Sequence, residues 1–117
     1  KHNYMIKKFQ VVFMEEAREF LMELDEADRS KVIYNIDKSS YLNDRELFKK
    51  LKDEIWEFRT LYKKNAYRIF AFWDTTDKIS TLVIATHGII KKSNKTPEKE
   101  IERAQQQRKK YFKQKNK

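Results

Sequence analysis

Residues 55–92 limit what this chain can fold into more than any other part of it. They contain three runs rich in aromatic and β-branched residues, Ile55–Tyr62, Ala66–Asp74 and Ile79–Lys92. The breaks between them, Lys63-Lys64-Asn65 and Thr75-Thr76-Asp77-Lys78, are short and polar. That pattern predicts a three-stranded antiparallel meander. Side chains alternate faces along a strand, so Glu57 and Arg59 share a face with Ile55 and Leu61, while Trp56, Phe58 and Tyr62 take the other. In the second run Arg68 lies on the face of Phe70 and Phe72, opposite Tyr67, Ile69 and Trp73. An arginine inside an apolar strand is costly unless its head reaches water, a carboxylate or a ligand. Two readings are open here: surface pairs (Arg59 with Glu57, Arg68 with Asp74) or a ligand-binding groove.

The rest of the chain supplies elements to cover the meander. Tyr4–Val12 reads as a first strand, at an edge because Lys7 and Lys8 interrupt it. Lys1-His2-Asn3 before it is a ragged end. Ala17, Phe20, Leu21 and Leu24 are spaced for one face of a helix, and Val32, Ile33 and Ile36 for a second, fading near Ser39-Ser40. These two helices form an αα-hairpin able to lie on the sheet. Tyr41–Asp53 is polar and irregular, with Leu47, Phe48 and Leu51 at the spacing of a short helical turn. In the hairpin break, Asn65 is the residue best able to take a positive φ. Gly88, the only glycine, marks a bulge or a close backbone approach. Thr96-Pro97-Glu98 starts a last helix with a capping hydroxyl and a proline at the first helical position; Tyr111 and Phe112 are expected to anchor its end, and residues from Lys113 onward to fray. The expectation is one α+β domain over 1–117: a small twisted antiparallel sheet backed by an αα-hairpin, with a C-terminal helix.

A chain of 117 residues can bury one core and little more. Without cysteine it has neither disulfides nor thiolate metal sites, and two histidines make a transition-metal centre an unpromising reading. No apolar run approaches the ~20 residues of a membrane span and no signal-peptide pattern opens the sequence, so a cytoplasmic protein is expected. The net charge of +9 is uneven. Residues 91–117 hold eleven Lys/Arg against three Glu, whereas residues 1–90 are nearly balanced. Such a footprint suits an acidic partner, nucleic acid or acidic protein.

Arg59, Arg68, His87, Lys91 and Lys92 all fall on neighbouring strands or just beyond, so they can line one groove, with Lys63 and Lys64 at its rim. That set suits an RNA phosphodiester. The ribose 2′-hydroxyl is already the nucleophile there, and arginine forks match phosphate oxygens. His87 has the residue type for acid–base work near neutrality, or else is a satisfied half-buried histidine beside Gly88. Glu57 is either a base or an ion-pair partner for Arg59. Trp56, Trp73 and Tyr67 either stack on bases or form core.

Taken together, Ile55–Arg59, Tyr67-Arg68-Ile69-Phe70, His87–Lys92, Lys95-Thr96-Pro97 and Glu100–Ala104 resemble the RelE/ParE superfamily of type II toxins, in particular its HigB-like, phage-derived Gp49-like branch. The resemblance implies a ribosome-dependent endoribonuclease that cuts messenger RNA without metal or cofactor. It also implies a cognate antitoxin, a DNA-binding HigA-like protein. The positions the resemblance implies are Arg59, Arg68 and His87, as catalytic ones, with Lys91 and Lys92 as RNA-binding; Lys63 and Lys64 at the groove rim and Lys109, Lys110 and Lys113 in the basic C-terminal segment are expected to bind RNA as well. The chain departs from the usual pattern in several places. Its hairpin lacks glycines, Phe58 replaces leucine, and Ile89 and Ile90 stand where Phe or Val is usual. Two alternatives share the same fold: a ParE-like inhibitor of gyrase, and a non-catalytic RNA- or ribosome-binding module.

Overall fold

The computed structural model describes residues 6–77, 81–92 and 95–116. Tyr4, Met5, Ile79 and Ser80, expected in strands, and the His2 end lie outside the described residues. The elements follow as β1 (Gln10–Phe13), α1 (Glu15–Met22), α2 (Glu26–Ser39), β2 (Phe48–Lys52), β3 (Ile55–Tyr62), β4 (Asn65–Asp74), β5 (Leu82–Lys91) and α3 (Glu98–Lys115). The strands form one sheet in the order β1-β5-β4-β3-β2. This is the expected α+β fold with its meander at β3-β4-β5, and two features go beyond the expectation.

First, the segment read as irregular contains a fifth strand. Phe48 stands directly opposite Phe58 on β3, and their rings stack at 4.2 Å. Leu47, Phe48 and Leu51 are too few to separate a helical period from a strand. The cross-strand partner that decides the matter comes ten residues later. Second, β1 pairs with β5 in parallel, so the sheet is mixed. A strand placed first in the chain reaches that position because α1 and α2 cross the sheet before β2 starts the opposite edge.

The helices cover both faces. Toward α1 and α2, the core gathers Phe9, Leu21, Val32, Ile36, Phe58 and Ile69. Toward α3, a smaller core holds Ile55, Phe70, Phe72, Ile84, Ile101 and Ala104. Gly88 is a close approach: a Cβ there would meet the Phe20 ring of α1 and lie 2.7 Å from Ile69 Cδ1. The bulge lies just before it, since Phe70 pairs with His87 but Ala71 pairs with Ala85, leaving Thr86 as the extra residue.

Two local expectations are corrected. The β3-β4 turn puts Lys63 at φ 51° and Lys64 at φ 68°, with Asn65 already in β4. A two-residue hairpin needs positive φ at both central positions to match the strand twist, and the lysines adopt it at a cost of about 1 kcal/mol each. The end of α3 is also tied down rather than frayed. Tyr111 donates to Asp74 Oδ2 at 2.5 Å and Lys115 Nζ to the same oxygen at 2.7 Å. Burial alone would raise the Asp74 carboxyl, but donors from Lys115, Tyr111 and Thr76 outweigh it and hold it well below the ordinary carboxylate range. Asp74 therefore pairs with Lys115, and the Arg68–Asp74 pairing is not formed.

Candidate functional site

The Thr86 bulge decides which side chains meet. Before it, Ile84 faces α3 opposite Phe72; after it, His87, Ile89 and Lys91 take the α3 face opposite Phe70, Arg68 and Ala66. Unbroken alternation from Ile84 would have sent Lys91 to the other side of the sheet. The extra residue puts it beside the arginines.

Arg59 and Arg68 are direct cross-strand neighbours on that face. Like charges directly opposite are destabilising. Glu57, 3% exposed, sits between them: Oε2 is 3.6 Å from Arg59 Nε and Oε1 is 3.5 Å from Arg68 Nε. The expected Arg59–Glu57 pair thus forms, but as half of a bridge. Thr96 also donates its hydroxyl to Glu57 Oε1 at 3.2 Å. The residue read as a helix cap makes no capping bond; Pro97 occupies the N-cap and Thr96 serves the site. Lys49, whose relevance depended on the unforeseen β2, stands opposite Glu57 in register.

Arg68 is 8% exposed, and burial lowers its pKa from the ordinary value, opposed by Glu57. One Nη donates to the Tyr67 carbonyl at 3.0 Å. Neither Arg59 Nε nor Arg68 Nε finds a hydrogen-bond partner among the described residues. Burial likewise pushes the Lys91 ammonium down, and Arg68 and Arg59 push it further, against Glu57. One buried carboxylate therefore lies between two guanidinium groups, with Lys49 opposite it in register and Lys91 on the same face of the sheet. Guanidinium groups in this arrangement have the donor geometry to pair with an oxyanion, and partial burial strengthens such a pairing.

The other expected site residues sort by position. His87 shares the α3 face but is 1% exposed and stacks on Phe70 at 4.9 Å. Its Nε2 is 3.0 Å from Glu100 Oε1 and its Nδ1 is 2.9 Å from Thr86 Oγ1. A carboxylate only accepts, so Nε2 carries the proton and donates, and the single Thr86 hydroxyl proton is shared between Nδ1 and the Phe70 carbonyl at 3.3 Å. Burial depresses the His87 pKa and nearby Arg103 adds to this, although Glu100 opposes both. This is the geometry of a satisfied histidine clamping α3 to the sheet. Trp56, Trp73 and Tyr67 lie on the α1–α2 face, away from the arginines, because they alternate with them.

Lys63 also turns away from the groove: its Nζ is 3.5 Å from Asp28 Oδ1 and lies over the Tyr62 ring. Lys64, and Lys92 just past β5, are exposed near the arginine end. Lys109, Lys110 and Lys113 are exposed far along α3. At 1.5 Å per residue, they stand roughly 16–22 Å from the start of that helix beside Glu57 and His87. They cannot share a phosphate with Arg68. Among the described residues no group of three or more His, Asp or Glu is arranged to hold a metal ion, and no helix is long and apolar enough to cross a membrane.

A mixed sheet with helices on both faces, and a cluster of cationic side chains on the α3 face of its central strands, defines a small α+β domain. The family of phage-derived Gp49-like proteins (DUF891) matches residues 19–109, well over half the chain, and the protein belongs to that family. The family is part of the RelE/HigB-like toxin group. The match spans Glu57, Arg59, Arg68, His87, Lys91 and Thr96, and stops before Lys110 and Lys113. Among curated proteins, none matches the chain.

Proposed function

We propose that the protein is the toxin of a type II toxin–antitoxin pair and that it cuts messenger RNA on the ribosome. The observation that carries this reading is the Arg59–Arg68 pair, held side by side with Lys91 on one partly buried face. In RNA cleavage the 2′-hydroxyl attacks phosphorus, a 2′,3′-cyclic phosphate forms, and the 5′-oxygen leaves with a proton. Charge accumulates on the non-bridging oxygens, and the two guanidinium groups are positioned to receive it. Lys91 is the best-suited proton-transfer group on that face. Burial and two arginines favour its neutral form, which can accept the 2′-hydroxyl proton. His87 supports this arrangement through Glu100 and α3 without touching RNA, a different role from the acid–base one its residue type suggests. Lys64 and Lys92 lie near enough to steer the flanking strand, whereas Lys109, Lys110 and Lys113 fit a more distant backbone contact. A cognate antitoxin, DNA-binding and HigA-like, would keep the toxin inactive.

The test is primer extension on cellular messenger RNA after pulse expression, with and without a translation inhibitor. Breaks that require translation support the proposal. Intact transcripts accompanied by gyrase-dependent DNA damage would replace it with a ParE-like activity, and intact transcripts with ribosome association alone would leave a binding module.

A further inference from the structure

Glu57 sets a problem that the cleavage chemistry leaves unsolved. An anion buried at the centre of an anion-binding site competes with the ligand. Its distances to Arg59 Nε and Arg68 Nε, 3.6 and 3.5 Å, are well beyond the roughly 2.7–2.9 Å of a charge-assisted hydrogen bond. Each carboxylate oxygen serves a different arginine, so neither arginine has its forked pair of donors engaged. The only hydrogen bond to the carboxylate found among the described residues comes from Thr96 at 3.2 Å. Arg59, Arg68 and Lys49 outnumber Glu57 in the cluster, so positive charge is in excess there even without counting Lys91.

We propose that Glu57 is a resident stand-in for phosphate. In the empty protein it holds the two guanidinium groups side by side against their mutual repulsion. When a phosphodiester arrives, the arginine donors pass to its oxygens, while Thr96 keeps the carboxylate in place. Glu57 acts through the arginines and is thus a positioning residue. The inference rests on the reading of this cluster as the RNA phosphate site, but it is tested without RNA.

The experiment compares thermal unfolding of wild type, Glu57→Gln and Glu57→Asp with and without 10–20 mM inorganic phosphate (on the order of common buffer levels), against sodium chloride at matched ionic strength. Glu57→Gln leaves the clustered cations without their anion, so it melts lower than wild type in chloride. Phosphate then raises its Tm by roughly 5 °C more than it raises wild type's, and Glu57→Asp behaves like wild type. If Glu57→Gln does not fold in chloride, phosphate restores its far-ultraviolet circular dichroism. Equal phosphate gains in all three proteins would overturn the inference, as would a Glu57→Gln variant that phosphate fails to recover. Phosphate rescue in a protein that cuts no translated message would sink the proposed function and leave this inference standing. Translation-dependent cleavage without phosphate rescue would do the reverse.

Discussion

Replacing Arg68 by alanine separates chemistry from folding most cleanly. On the folding side, the variant loses two buried methylenes, Cγ and Cδ, at about 0.8 kcal/mol each. Part of that is returned, because the like charges facing each other across β3 and β4 are gone. Glu57 is not orphaned: it keeps Arg59 at 3.6 Å and the Thr96 hydroxyl at 3.2 Å. The net cost is then about 1 kcal/mol, a fall in Tm of roughly 3–6 °C for a domain of this size. On the chemical side, losing one group that stabilises transition-state charge costs on the order of 100- to 1000-fold in rate. A third effect distinguishes the mechanism. Burial lowers the Lys91 pKa most, and Arg68 comes next, so removing Arg68 lets Lys91 rise. A base works when neutral, and the rate climbs with pH through its pKa. In Arg68→Ala that inflection should therefore move to higher pH. The assay is single-turnover cleavage of ribosome-bound message across pH, alongside melting curves and antitoxin binding. A folded variant cutting within about tenfold of wild type would refute the charge-stabilising role of Arg68. An inflection that stays put or moves down would refute the role given to Lys91, and a collapsed melting transition would make Arg68 structural.

Changing Lys109, Lys110 and Lys113 together to glutamine should flatten the salt dependence of RNA association by about 0.7–0.9 log units for each phosphate that is no longer neutralised, while cleavage of saturating substrate persists; an unchanged slope means these lysines only solvate α3. The Asp74 carboxyl, held low in the fold, contributes stability that is present above its unfolded pKa of about 3.9 and is lost as pH falls toward the folded value. Asp74→Asn should be less stable at pH 7 by about 2 kcal/mol, with Lys115's partial exposure limiting the loss, and should show a shallower decline in melting temperature below pH 4. Lys63→Asn with Lys64→Gly relieves two left-handed lysines and should raise stability by about 1 kcal/mol in urea titration; no gain would show that the turn is not strained.

The three runs of the meander were readable because aromatic and β-branched residues dominate them, and period-two alternation placed Arg59, Glu57 and Arg68 on one face. Other parts depended on partners that a local pattern does not contain. Phe48 becomes a strand residue only through Phe58, and Lys49 reaches the site only because that pairing exists. Thr96 has the residue type of a helix cap, yet the nearby carboxylate is the acceptor its hydroxyl serves. His87 combines a suitable residue type with a suitable strand, and nothing in the chain near it foretells that α3 will cover it with Glu100.

The bulge at Thr86 makes the site depend on arithmetic parity. From Ile84 to Lys91 the strand counts residues two by two, and the single unpaired one turns an odd interval into an even one. Deleting Thr86 itself would only remove the bulge and leave Lys91 where it is, whereas deleting Ile89 with the bulge kept would change no charged residue and still let the strands pair. The loss of Ile89 would nevertheless turn Lys91 to the α1–α2 side and bring Ile90 toward the arginines. The composition of the site would survive in the sequence while its geometry vanished. In this fold, a change in length within β5 is a more drastic event than most changes of residue, and comparing chains of this kind by matching letters alone would overlook it.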